Sequence, residues 1–298
     1  MRRIFAAIAI VALSIAAAAA QTGAGEFFFI QLADTQFGAS NSDKDFSQET
    51  ANYEFAVANI NRLKPRFVVI CGDLINKTGD PAQTAEYLRI TGKIDKAIPV
   101  YNVAGNHDVG NDPTPATLAY YREHFGKDYY SFRQGEIYGI VLDSNLIASP
   151  SRVQAEADRQ EAWLKEELGK AATSGARHTV IFQHISWFLE KPDEAAQYFN
   201  IPIEARKKYL ALLKSSGVRY VFAGHYHRNA YGKDGDLEVI TNGPVSRPLG
   251  TDPQGIRIVS VKGDTLEHRY YSFGEIPNQY PPAPAAPAAP AARGRGGD

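Results

Sequence analysis

The chain has 298 residues, 32 basic and 33 acidic side chains, a formal net charge of −1 and 44% hydrophobic residues. Such a balance is ordinary for a globular protein and lacks the basic footprint of a nucleic-acid binder. Cys71 is the single cysteine, which excludes an internal disulfide.

Met1-Arg2-Arg3 gives a positive start, residues 4–13 an apolar stretch, and Ala18-Ala19-Ala20 a small-residue cleavage site. This layout predicts a secretory signal peptide over 1–20, so an exported protein, periplasmic or secreted, with no stable membrane span after cleavage. The alternative is a retained N-terminal anchor. Residues 281–298, rich in proline and alanine without a large apolar side chain, predict a disordered tail. Between them, 21–280 suits one α/β domain.

Along that domain, apolar β-rich runs alternate with amphipathic stretches. Residues 27–30 read as a buried strand ending at Ala33-Asp34, and 48–64 as a helix stopped by Pro65. A second strand, 67–70, ends at Gly72-Asp73. Asp80-Pro81 opens a helix running towards Ala97. A strand over 99–103 ends at Gly105-Asn106-His107-Asp108, followed by a helix over 114–124. A strand pair is predicted over 129–133 and 137–142, then a helix over 155–171. A strand over 179–183 ends at His184, a helix covers 204–215, and a strand over 219–222 ends at Gly224-His225-Tyr226-His227. Strands near 237–241, 256–261 and 265–271 complete the chain. The order β-α-β-α-β, then strands with fewer helices, indicates an α/β core with mixed pairing late in the chain.

Five polar motifs thus follow five apolar strands, and open α/β sheets bind ligands at the carboxyl ends of their strands. Each motif alone is weak, since an Asp or Gly-Asp after a strand is commonly turn chemistry. Together they gather Asp34, Gln36, Asp73, Asn106, His184, His225 and His227, and four of the seven histidines fall within the motifs. Carboxylate, amide oxygen and imidazole are ligands for divalent Mn, Fe, Zn or Mg.

In motif order these residues resemble the calcineurin-like metallophosphoesterases. The stretches LADTQFG, CGDLIN, GNHDVGNDPTP, FQHISWFLE, GHYHRNA and HRYYSF are similar to the CPPED-type members. The resemblance implies a four-layer α/β/β/α sandwich and hydrolysis of phosphomonoesters by attack of a hydroxide bridging two divalent metals. It places Asp34, Gln36, Asp73 and His227 on one metal. Asp73, Asn106, His184 and His225 would hold the other, with Asp73 bridging. His107 would serve the leaving group, and Asp108 would orient it or fix its protonation; the alternative for His107 is one more metal ligand. Gln36 stands where most of the wider family has histidine, and either ligates through its amide oxygen or orients a water. Phosphodiester hydrolysis, and a metal-stabilised module without turnover, are the competing readings. The substrate is then a phosphate ester, small molecule or phosphoprotein. Arg228 and Arg247 are expected phosphate contacts, since guanidinium forks suit phosphate oxygens. Tyr226, Trp187 and Phe188 are expected at the rim or in the core.

Overall fold

A computed structural model describes residues 26–281. The predicted signal peptide and, apart from Pro281, the predicted tail lie outside the described residues. The chain runs β1 (Phe27–Leu32), α1 (Ser47–Leu63), β2 (Val68–Ile70), α2 (Pro81–Thr91) and β3 (Val100–Asn102). A single turn, α3 (Asn106–Val109), and α4 (Pro115–His124) lead to the hairpin β4 (Tyr130–Gln134) and β5 (Ile137–Val141). Next come α5 (Asn145–Ala148), α6 (Gln154–Thr173), β6 (His178–Phe182), α7 (Ile203–Ser215) and β7 (Tyr220–Ala223). The strands β8 (Ala230–Asp234), β9 (Leu237–Thr241), β10 (Gly255–Lys262) and β11 (Thr265–Ser272) close the fold.

Two mixed sheets result, in the orders β11-β10-β1-β2-β3 and β4-β5-β6-β7-β9-β8. In the first, β1, β2 and β3 are parallel and β10 returns antiparallel to β1. In the second, β5, β6, β7 and β9 are parallel, with antiparallel β4 and β8 at the edges. Successive strand residues point to opposite faces, and the burial obeys that period. Phe29, Val69, Val180, Phe182 and Phe222 meet between the sheets. Ile30, Val68, Ile70 and Ile258 face outward onto Tyr53, Ile60, Tyr87 and Leu118 of α1, α2 and α4. Ile181, Val221 and Val239 face the other way, onto Leu164, Leu168, Leu210 and Leu213 of α6 and α7. This is the expected α/β/β/α sandwich.

Two local differences from expectation have simple causes. The second helix stops at Thr91 because Gly92, costly in a helix interior, hands the chain to short turns up to Ile98. The strand β8 carries Gly232 and charged Lys233 and Asp234, so its sequence reads as a loop; pairing with β9 around Gly235 makes it a strand. Among the described residues, no helix is long and apolar enough to cross a membrane.

Candidate active site

All five motifs lie just past the carboxyl ends of β1, β2, β3, β6 and β7, so the site is assembled from both sheets. Ligand atoms of Asp73, His184 and His225 lie within 4.8 Å of one another, and so do those of Asp34, Asp73 and His227. Asp73 belongs to both groups, the place of a bridging carboxylate. All five side chains are buried. Asp34, Gln36, Asp73, His225 and His227 have positive φ, a backbone region that non-glycine residues seldom occupy. Strain concentrated on these five of the eight such non-glycine residues among the described residues marks the site as one whose backbone is held for function. Gly105 is required by crowding, since a Cβ there would lie 2.0 Å from the Asp73 amide nitrogen.

Backbone carbonyls fix the imidazoles. His184 donates Nδ1–H to the Cys71 carbonyl at 2.8 Å, which leaves Nε2 3.2 Å from Asp73 Oδ1. His227 donates Nδ1–H to the Arg247 carbonyl at 2.5 Å, with Nε2 3.4 Å from Asp34 Oδ1. His225 is turned the other way, its Nε2 donating to the Tyr198 carbonyl at 2.9 Å. Such partners set tautomer and ring direction at metal sites.

The amides are fixed as well. Asn106 donates Nδ2 to Asn111 Oδ1 and to the Tyr198 hydroxyl, both at 3.1 Å, while its Oδ1 sits 3.0 Å from His184 Nε2. Gln36 donates Nε2 to Asn76 Oδ1 at 3.1 Å, and its Oε1 is buried without a hydrogen-bond partner among the described residues. An orphaned buried oxygen is costly unless something binds it. Two carboxylates, two inward amide oxygens and three imidazoles therefore fit a pair of divalent cations.

The electrostatics point the same way. Burial works against the Asp73 charge, but His184 and His107 hold its carboxyl well below the usual range. Burial also opposes the His184 proton, yet Asp73 outweighs it and lifts the imidazole to about 9. Burial and the His184 charge push His225 down to about 4. Dense carboxylates draw positive charge into the site, here as a proton; bound cations would supply it instead.

His107 donates Nδ1–H to the Asn76 carbonyl at 2.6 Å, and its backbone N–H donates to Asp73 Oδ1 at 2.9 Å. Asp108 does not hold that ring. Its carboxylate accepts the backbone N–H groups of Gly105, Leu74 and Ile75 at 2.8, 2.9 and 3.1 Å. It ties the loops after β2 and β3 together, and orientation of His107 falls to the Asn76 carbonyl instead. Burial and the Asp73 charge push Asp108 up to about 8, against those three donors.

A cavity of about 200 Å³ opens over the set, lined by Gln36, Asp73, Asn76, His107, Tyr198, Phe199, His225, His227 and Arg247, with Ala39 and Leu249. A larger groove bordered by Arg122, Glu156 and Trp163 includes none of the motif residues. Arg247 is exposed at this cavity with no side-chain partner among the described residues. Arg228 is instead folded onto the Leu249 carbonyl and the Tyr226 ring, away from the lining. Trp187 and Phe188 are core residues, and Tyr226 packs on Phe199. Sequence reasoning missed Tyr198, which touches Asn106 and His225 from the loop between β6 and α7. Its only signal was a paired aromatic, Tyr198-Phe199, in a polar stretch.

The sandwich and the donor set define a metal-dependent phosphoesterase. The chain belongs to the calcineurin-like phosphoesterase family, which its residues 29–229 match. It is similar to the serine/threonine-protein phosphatase CPPED1 of Bos taurus, with 40% identity over 267 residues and 85% of each chain covered. A dimetal phosphatase from Danio rerio superposes with a TM-score of 0.59 at 17% identity, over 84% of this chain and 97% of that one. GAP50, the anchor in the inner membrane complex of Plasmodium, superposes with a TM-score of 0.64 at 16% identity, over 83% and 85%. At such identities the two structures speak to the fold alone.

Proposed function

We propose that the chain hydrolyses phosphomonoesters, with Mn²⁺ or Mg²⁺ in its dinuclear site, after export across a membrane. When bound, two such cations lower the pKa of a water they share and clamp phosphoryl oxygens. Asp34, Gln36, Asp73 and His227 would hold one, and Asp73, Asn106, His184 and His225 the other. The oxygens of Gln36 and Asn106 harden the donor set and favour Mn²⁺ or Mg²⁺ over softer ions.

The observation that carries the reading is the pairing of His107 with Arg247 on one small cavity. With Nδ1–H held by the Asn76 carbonyl, Nε2 of the His107 imidazolium is the nitrogen that would give its proton to a departing alkoxide, leaving the ring neutral. The free guanidinium of Arg247 suits two oxygens of a phosphoryl group. A dianionic monoester matches a guanidinium beside two cations better than a diester with its single charge. The relative's printed name supports a phosphoserine or phosphothreonine substrate, and a small phosphate ester fits the same cavity.

Turnover of an aryl phosphate and of a bis-aryl phosphodiester, each with Mn²⁺, tests the assignment. Monoester hydrolysis at least about tenfold faster in kcat/KM, a difference of about 1.4 kcal/mol, is expected. Faster diester hydrolysis makes the chain a phosphodiesterase, and turnover of neither makes it a binding module. Export rests on residues 1–20 alone, and N-terminal sequencing of the mature protein should begin at Gln21.

A further inference from the structure

An imidazole ligand needs its tautomer and ring direction set, and an amide ligand needs its flip set. A flipped Gln36 would present two N–H donors to a cation in place of an oxygen. Histidine-to-glutamine exchange at this position therefore demands something to fix the flip.

The chain supplies a fixed reference in Asp43, whose carboxylate can only accept. Its Oδ1 takes hydrogen bonds from Asn76 Nδ2 at 2.8 Å and from Gln83 Nε2 at 2.7 Å. Both amides must therefore turn their NH₂ groups towards it. Gln83 then offers Oε1 to the backbone N–H groups of Asn76 and Lys77, at 3.0 and 2.9 Å, which agrees with that assignment. Asn76 must offer Oδ1 on its far side, where Gln36 Nε2 donates to it at 3.1 Å. Gln36 Oε1 is left buried and unpartnered.

The backbone holds the relay in register. Phe37 and Ile75 form a parallel bridge, and Gln36 N–H donates to the Asp73 carbonyl at 2.8 Å. Gly38 has a φ of +107°, and a Cβ there would lie 2.6 Å from Asp43 Oδ1, so the close approach needs glycine. The carbonyl of the same Asn76 accepts from His107 Nδ1. One residue thus sets the amide ligand through its side chain and the leaving-group imidazole through its backbone.

We propose that Asn76, oriented by Asp43, is the positioning residue that turns Gln36 Oε1 towards the metal site and thereby makes glutamine serviceable there. The proposal rests on the dinuclear reading above. Calorimetric titration of the apo-protein with Mn²⁺ tests it without reference to turnover. Asn76→Ala should weaken one of two Mn²⁺ affinities about tenfold or more and leave the other within about threefold, the range seen when a ligand's supporting partner is lost. Asp43→Ala, at an exposed position of positive φ, should weaken the same affinity less and lower the melting temperature by only a few degrees. In a Gln36→His background, Asn76→Ala should change neither affinity by more than about threefold, because the coupled partner is gone.

Equal losses in both backgrounds, or unchanged affinities in Asn76→Ala and Asp43→Ala, would overturn the relay. Should Asn76→Ala fail to fold, Asp43→Ala in the two backgrounds decides. A wild-type chain that takes up fewer than two cations sinks the dinuclear reading itself. Two cations bound equally by wild type and variants sink only the relay.

Discussion

His107 and Gln36 are each held by Asn76, one through its backbone and the other through its side chain, so their contributions are separable by substitution. If His107 protonates the leaving group, its loss matters most when that group is a poor one. His107→Ala should lower kcat about a hundredfold or more on an alkyl phosphate, and much less on 4-nitrophenyl phosphate, whose phenolate leaves unaided. The number of bound cations should stay at two. A fall to one would make His107 a ligand instead, and equal losses on both substrates would remove it from proton transfer. At this scale the sequence was informative where a residue type is rare in packing: four histidines behind strands stood out, and the structure gathers His184, His225 and His227 around Asp34 and Asp73. Tyr198 and the roles of Asn76 were hidden because their polar groups act through backbone carbonyls and long-range partners. No spacing in the chain encodes a contact between residues 76 and 43, or between 198 and 106.

Strand ends in this fold carry two kinds of aspartate, and only context separates them. Asp34 and Asp73, after β1 and β2, face one another's imidazoles. Asp143, after β5, does what a lone strand-end aspartate usually does: its Oδ1 accepts from the Asn145 backbone at 2.9 Å and side chain at 2.7 Å, opening α5. Its other oxygen is buried and unpartnered. Burial, helped by the Asp128 charge, pushes this carboxyl up from 3.8 to about 7. The folded chain therefore prefers the neutral acid. That contribution is full below the ordinary value near 3.8 and is lost as pH rises through about 7. Asp143→Asn stays neutral throughout, so its urea midpoint should gain on the wild type between pH 5 and pH 8. Parallel pH profiles for the two proteins would show that Asp143 does not titrate in that window. Elements with strong periodicity, such as α1 and α6, were legible to within a residue or two. The strand β8 was not, because edge pairing with β9 rather than its own composition makes it a strand.

The two sheets meet along a layer of aromatic side chains, with Phe29 stacked on Phe67 at 4.6 Å and edge-on to Phe182 and Phe222. Continuous apolar runs such as 27–30 and 67–70 announced strands buried on both faces, and the motif order announced the sandwich through family resemblance. The sheet orders themselves, with β10 returning to lie beside β1, rest on pairings of high sequence separation that no local pattern carries. That topology has a consequence for stability. One sheet supplies Asp34, Gln36, Asp73 and Asn106, the other His184, His225 and His227, so bound cations would cross-link the sheets at one end of the layer. A ligand that binds only the folded state stabilises it by about 2.7 kcal/mol at a hundredfold excess over its Kd. For a domain of this size that corresponds to a rise in melting temperature on the order of 5–10 °C. Chelation should lower the melting temperature by that amount, and readdition of Mn²⁺ should restore it. In His225→Ala, where the second sheet would offer two imidazoles in place of three, the metal-dependent shift should shrink while the metal-free melting temperature stays close to that of the chelated wild type. An identical shift in the variant would mean that His225 holds no cation.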